Sequence, residues 1–273
     1  MPDVYTDIKN ASPVVLAGLM SALELRAADP QQRAMIDSYL ADAALAEGAR
    51  MLEVGCGTGA VTRVLATWPG VAEVCGVDPS PTFVAEAREL GGELAELAFA
   101  VADGRSLPFA RETLDAVVFH TTLCHVLEPE VMLHEAARVL RPGGCVAIFE
   151  GDYATSTVAT GAGDPLEACV EAFRRHFVHD PWLVRRLLPR LQEVGLHLEQ
   201  VRSYGYVEGP AAGFMLASWI ELGANALVAE GRIGADLGEA LKAEARRRAA
   251  SRHYFGHIAY MSVIARKPAP GGH

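Results

Sequence analysis

The run Met51-Leu52-Glu53-Val54-Gly55-Cys56-Gly57-Thr58-Gly59 constrains this chain more than any other segment. A short apolar stretch runs straight into alternating glycines, and a helical pattern from Ala60 to Thr67 begins at once. A strand that turns directly into a helix needs residues without a Cβ where the backbone doubles back and where a ligand lies against it. The same unit then repeats. Val74 to Val77 is a second strand ending in Asp78, Pro81 to Leu90 a helix, Ala98 to Ala102 and Leu114 to His120 further strands, and Glu130 to Leu140 a helix closed by Arg141-Pro142-Gly143-Gly144. Cys145 to Phe149 is the fifth strand. Continuous apolar strands that alternate with amphipathic helices call for a parallel sheet covered on both faces, so the expected class is a doubly wound α/β fold.

The flanks are read in the same way. Ser12-Pro13 opens one helix, Val14 to Leu25, and Asp29-Pro30 a second that stops near Gly48. After a Thr/Gly/Ala-rich loop, Gly151 to Gly163, helices are expected over Pro165 to Val178 and Trp182 to Val194, and a strand over Leu198 to Tyr206. Helices across Ala211 to Ala229 and Asp236 to Ala250 follow, and a last strand, His257 to Ala265, makes a mostly parallel seven-stranded sheet with N-terminal helices and a helical lid insertion. The tail from Lys267 to His273 is expected to fray. No linker is visible, so the chain is read as one domain: 1–48 a helical cover, 49–150 the cofactor core, 151–273 the acceptor side.

Charge and cysteine content narrow the function. With 24 Lys+Arg against 34 Asp+Glu, the net charge of -10 argues against nucleic acid, whose phosphates are held mainly by basic side chains. Arg246-Arg247-Arg248 is read as a solvated helix face. The 5 cysteines form no C-x-x-C pair, so neither a disulfide framework nor a metal site is expected. The longest charge-free apolar stretch is too short for a bilayer and the N-terminus lacks a signal pattern, which leaves cytoplasm as the expected location.

Two cofactors compete for the glycine loop. A dinucleotide fingerprint, G-x-G-x-x-G/A, is compatible with Ala60 in its last position, so glycine spacing leaves NAD open. Glu53 tips the balance, because a carboxylate there suits a positively charged ligand better than a pyrophosphate. Asp78, at the end of the second strand, is placed to accept both ribose hydroxyls, and Asp103, at the end of the third, to accept from an adenine amino group. Together they describe a nucleoside with a cationic tail.

These residues carry a family likeness. The E-x-G-x-G-x-G loop, Val77-Asp78-Pro79-Ser80, Ala102-Asp103-Gly104-Arg105-Ser106-Leu107-Pro108-Phe109, the stretch Leu114 to Val126 and Arg138 to Gly144 fall in one order. Over Met51 to Glu150 the chain resembles the class I S-adenosylmethionine-dependent methyltransferases, in the small-molecule branch that includes ubiquinone/menaquinone-type enzymes; elsewhere the likeness is looser, to bacterial enzymes of secondary metabolism. The resemblance implies that Glu53, Gly55, Gly57 and Gly59 hold the methionine moiety of S-adenosyl-L-methionine. It further implies that Asp78 with Pro79 holds the ribose, and Asp103 with Gly104 the adenine. His120 would lie near the reacting centre, His125 in the same pocket, and the product would be S-adenosyl-L-homocysteine.

A methyl on a sulfonium is already activated, so placement of a nucleophile is the main requirement and a base matters only for an acceptor that must lose a proton. His120 and His125 are the leading candidates, because they follow the strand whose C-terminal edge borders the crevice; His253, His257, Tyr153 and Tyr254 stand behind them. Tyr5 with Arg33, Glu150 with Asp152 and Tyr153, and Phe214 with Met215 and Trp219 are candidates to close the cofactor or acceptor pocket. The expected partner is a small organic methyl acceptor, neither nucleic acid nor membrane, with a homodimer left open. A nicotinamide-dependent oxidoreductase and a non-catalytic S-adenosylmethionine-binding protein are the competing readings.

Overall fold

The computed structural model describes residues 3–92, 94, 96–209 and 215–269. A short 3-10 segment, Val4–Asn10, leads into α1 (Pro13–Ala27) and α2 (Pro30–Ala43). Both helices start as their sequences require: Ser12 Oγ accepts from Val15 N at 3.4 Å, and Asp29 Oδ1 accepts from Gln31 N and Gln32 N at 2.7 and 3.2 Å. Proline follows each cap, where its missing N–H costs nothing.

The alternation then unfolds as β1 (Ala49–Val54), α3 (Ala60–Ala66), β2 (Val71–Asp78), α4 (Pro81–Gly91), β3 (Leu97–Val101), β4 (Leu114–His120), α5 (Pro129–Val139) and β5 (Leu140–Thr157). The second half holds α6 (Glu167–Phe177), α7 (Leu187–Glu193), β6 (His197–Glu208), α8 (Met215–Ala229), α9 (Ala235–Ala250) and β7 (Gly256–Arg266). All seven strands form one sheet in the order β3-β2-β1-β4-β5-β7-β6. The first five pair in parallel, while β7 inserts antiparallel between β5 and β6. Met51, Leu52, Val117, Val118, Phe119 and Ile148 are buried, the pattern expected of strands covered on both faces. The order reverses between β1 and β4, and ligands bind at such a switch point, outside the carboxyl ends of the strands.

Several boundaries differ from the sequence reading. Gly151 to Thr157 is strand, because β5 runs on against β7 with Gly151 opposite Tyr260 and Asp152 opposite Ala259. Thr, Tyr and Ser suit a strand once a partner is present, and that partner lies about a hundred residues away in the chain, beyond any local pattern. The helix expected over Trp182 to Val194 is a 3-10 turn, Leu183–Arg186, followed by the short α7. Phe214, the start of the helix expected from Ala211, and the tail beyond Ala269 lie outside the described residues. Nor is the Arg246 to Arg248 cluster merely solvated: Arg248 reaches Asp164 at 2.6 Å and ties α9 to the segment after β5. Among the described residues no helix is long and apolar enough to cross a membrane.

Candidate active site

At the switch point the chain leaves β1 through Gly55, whose φ of 75° places it in the left-handed region. A Cβ there would meet Thr122 Cγ2 at 2.4 Å, so both conformation and space demand glycine. Gly55 N and Cys56 N donate to Val77 O at 2.8 and 3.0 Å, which holds the loop to the end of β2. Gly59 has a different task from the one expected of it. It does not border the cavity described below; it opens α3 at φ 73° and a Cβ on it would strike the Phe99 ring at 2.5 Å.

Three carboxylates surround this loop in unlike environments. Glu53 is fully enclosed, accepts from Thr62 Oγ1 at 2.5 Å, and is pushed up to about 8 by burial. Asp78 accepts from Gly57 N at 3.0 Å and Ser80 N at 2.8 Å, bonds that favour its charge, yet burial outweighs them and lifts it to about 6. Asp103 is gripped by the Arg105 guanidinium, Nε to Oδ1 at 3.0 Å and Nη2 to Oδ2 at 2.8 Å, which holds it below the usual carboxylate range. A Cβ on Gly104 beside it would meet Val54 Cγ1 at 2.6 Å.

A cavity of about 840 Å³ opens over the loop. It is bordered by Glu53, Gly55, Gly57, Asp78 with Pro79, and Asp103 with Gly104. His120, His125, Tyr5, Tyr153 and Trp219 border it as well. Part of its wall is aromatic: Phe173 stacks on Trp219 with centroids 4.4 Å apart, and Tyr153 lies 5.6 Å from the same ring.

The two candidate histidines differ sharply. His120 is buried, shares a 3.2 Å hydrogen bond with Tyr39 Oη through Nδ1, and stacks on Phe149 at 4.7 Å. Burial, reinforced by the charge of Arg26, pushes it well below the ordinary imidazole range, so it stays neutral. His125 instead meets a carboxylate, with Nδ1 at 2.5 Å from Asp3 Oδ2, and the Tyr5 ring lies 4.6 Å from its own.

Several expected site residues point elsewhere. Asp152 does not border the cavity; it receives Arg185 Nε at 2.9 Å, because the strand alternation that turns Tyr153 inward turns Asp152 away. His253 lies exposed just past α9, beside Ser251 Oγ at 3.2 Å, and neither it, Tyr254 nor His257 borders the cavity. Arg33 pairs with Asp37 at 2.9 Å on the open side of α2. Glu150 turns beneath the floor, where Oε1 accepts from Thr122 N at 2.8 Å and Leu123 N at 2.6 Å. It thereby shapes the turn carrying His120 to His125, including Thr121 at a φ of 52°.

Two residues escaped the sequence reading. Asp3 reaches His125 across 122 positions of chain. Arg26 sits in the last turn of α1, a usual surface place for a basic residue, yet it borders the cavity and its guanidinium has no hydrogen-bond or ion-pair partner among the described residues. Its charge is felt at Glu53, His120 and Tyr153. No local signal marks either one, since both are brought in by the docking of the N-terminal segment around Ile8, Leu16 and Phe83.

Residues 52–148 match the methyltransferase domain family. This matched segment contains the glycine loop, Asp78, Asp103 and both candidate histidines. An uncharacterised methyltransferase of Schizosaccharomyces pombe is 29% identical over 62% of this chain and 54% of its own length. A ubiquinone/menaquinone biosynthesis C-methyltransferase of Syntrophotalea carbinolica is 35% identical over 43% of this chain and 50% of its own. The chain thus spans about half the length of these curated relatives. A putative methyltransferase from Bacillus halodurans C-125 superposes with a TM-score of 0.62 at 21% identity, over 86% of this chain and 99% of that one, and shows the shared fold.

Proposed function

We propose that this protein transfers a methyl group from S-adenosylmethionine to a small, largely apolar acceptor, releasing S-adenosylhomocysteine. One observation carries the reading: Glu53, Asp78 and Asp103 border the same cavity as the glycine loop, and Tyr153, Phe173 and Trp219 give that cavity an aromatic wall. Glu53 faces the cationic methionine tail, Asp78 the ribose hydroxyls and Asp103 the adenine amino group. Arg26, with no hydrogen-bond or ion-pair partner among the described residues and bordering the same cavity as Glu53, suits the tail's carboxylate. A pyrophosphate fits poorly, since Gly57 N–H already donates to Asp78 and two buried acids face the loop. The nicotinamide reading is therefore set aside.

When bound, S-adenosylmethionine supplies a methyl on a cationic sulfur that needs no further activation. The protein's part is to place an acceptor against that methyl and exclude water, which can lower a barrier by about 7–11 kcal/mol in favourable cases. Tyr153, Phe173 and Trp219 provide a flat wall for an aromatic or alicyclic acceptor body. Trp219→Ala is expected to cost acceptor binding about 1–2 kcal/mol, a roughly 5- to 30-fold rise in KM, with cofactor affinity unchanged. Incubation of the purified protein with labelled S-adenosylmethionine and metabolite extract tests the reading. Label is expected to appear in an apolar small molecule; cofactor binding without methyl release from any extract would instead assign a non-catalytic binding protein.

A further inference from the structure

Of the two histidines in the cavity, one is built as a proton acceptor. Asp3 is buried, and its carboxylate is organised by three contacts: Oδ1 accepts from Tyr5 N at 3.0 Å, and Oδ2 accepts from His179 N at 2.9 Å and lies 2.5 Å from His125 Nδ1. A carboxylate accepts, so the hydrogen in that contact sits on Nδ1 and leaves the lone pair on Nε2. Nε2 has no protein partner among the described residues, and His125 borders the cavity with a side chain 12% exposed. The ring is clamped between Tyr5 at 4.6 Å and the edge of Tyr153 at 6.3 Å. His120 also borders the cavity, but its Nδ1 is shared with Tyr39 and it hydrogen-bonds to no carboxylate among the described residues.

From this geometry we infer that Asp3 is the positioning residue for His125, that His125 Nε2 is the general base, and that the methyl acceptor is a hydroxyl compound. The inference rests on the methyltransferase reading above and narrows it. A neutral amine attacks without prior loss of a proton, whereas an un-ionised hydroxyl is a weak nucleophile until its proton leaves. In the transfer, the acceptor O–H proton passes to His125 Nε2 as the oxygen forms its new bond to the methyl carbon. The carbon–sulfur bond breaks with its electron pair remaining on sulfur, giving a neutral thioether and an imidazolium facing the Asp3 carboxylate. Asp3 belongs to the segment that lies across the cavity, so the base is complete only when that segment is docked.

The tautomer is read first, without substrate. Nitrogen-15 histidine spectra, with His125 assigned by its disappearance in His125→Ala, are expected to show Nδ1 protonated and Nε2 bare, and to lose that signature in Asp3→Asn. A wild-type His125 protonated on Nε2 alone overturns the proposal. Turnover is then compared on 2-naphthol, un-ionised at neutral pH, and on 4-nitrophenol assayed above its own ionisation. On 2-naphthol, His125→Ala and Asp3→Asn are expected to lose about 100-fold or more in kcat with KM changed less than about 3-fold, and Asp3→Glu to recover part of the loss. On the ionised phenol the same variants should lose less than about 3-fold, because no proton remains to be taken. Equal losses on both acceptors, or wild-type methylation of amines or thiols but of neither phenol, overturn the proposal. Calorimetric binding of S-adenosylmethionine to the same preparations reports on the methyltransferase reading alone, so the two can fail separately.

Discussion

Asp78→Ala is expected to remove S-adenosylmethionine binding from the micromolar range altogether, leaving at most millimolar affinity. The carboxylate has two tasks, and alanine ends both. Its oxygens hold Gly57 N–H at 3.0 Å and Ser80 N–H at 2.8 Å, which fixes the glycine loop against the start of α4. Their remaining lone pairs face the cavity, where the proposed ribose lies. A hydrogen bond to a charged group contributes about 1.5–3 kcal/mol, so the loss of the ribose contacts alone approaches two to four decades. Asp78→Asn keeps one acceptor for the loop and is expected to bind measurably, though weakly. Isothermal calorimetry of both variants, with circular dichroism to show that the fold persists, checks the pair. Wild-type affinity in Asp78→Ala would remove the ribose assignment.

Glu53→Gln should have the second largest effect, and its size should depend on pH. Burial pushes Glu53 up to about 8, with the neighbouring Asp78 charge adding to it, so the free protein at pH 7 largely holds a proton there. A cationic ligand favours the ionised form, and binding then expels that proton. Affinity is therefore expected to rise as pH goes from 6 to 8, by up to about tenfold per unit. At pH 8, Glu53→Gln is expected to weaken binding by about 30- to 100-fold, the value of a charged contact, while near pH 6 the gap to wild type narrows. The stability effect has the opposite sign. A carboxyl raised in the folded state contributes stability that is present below its unfolded value and is lost as pH rises through about 8. Ligand-free Glu53→Gln should thus melt at a higher temperature than wild type at pH 8.5 to 9, measured by calorimetric scanning. A pH-independent difference in affinity would show that Glu53 is not the group being ionised.

The cofactor end of this site is legible in the sequence because its parts are local. Each of Glu53, Asp78 and Asp103 ends or borders a strand whose apolar run announces it, and the parallel pairing of β1 with β2 and of β2 with β3 sets them side by side. The acceptor end is written differently. Tyr153 and Trp219 come from segments 66 positions apart, Asp3 and His125 from segments 122 apart, and no periodicity links them. Asp152 and Glu150 show the same limit from the other side. Their place after β5 is correct, but whether each side chain faces the cavity, Arg185 or the Thr121 turn follows from the pleat of a strand whose continuation is fixed by β7. His253 failed as a site residue because α9 ends before it and leaves it on the surface. Arg26 would pass for an ordinary last-turn cation until α1 is seen lying across Gly57, with Leu23 Cδ1 only 2.8 Å from where a Cβ would stand.

The central claim is that the three acids form a site for a cationic nucleoside, and one titration tests it most directly. The wild-type protein is titrated with S-adenosylmethionine at pH 7 in two buffers of different ionisation enthalpy. The account predicts saturable one-to-one binding in the micromolar range and a difference in heat between the buffers that reports a proton released from Glu53. No saturable heat with S-adenosylmethionine, together with saturable heat from a nicotinamide dinucleotide, would contradict it.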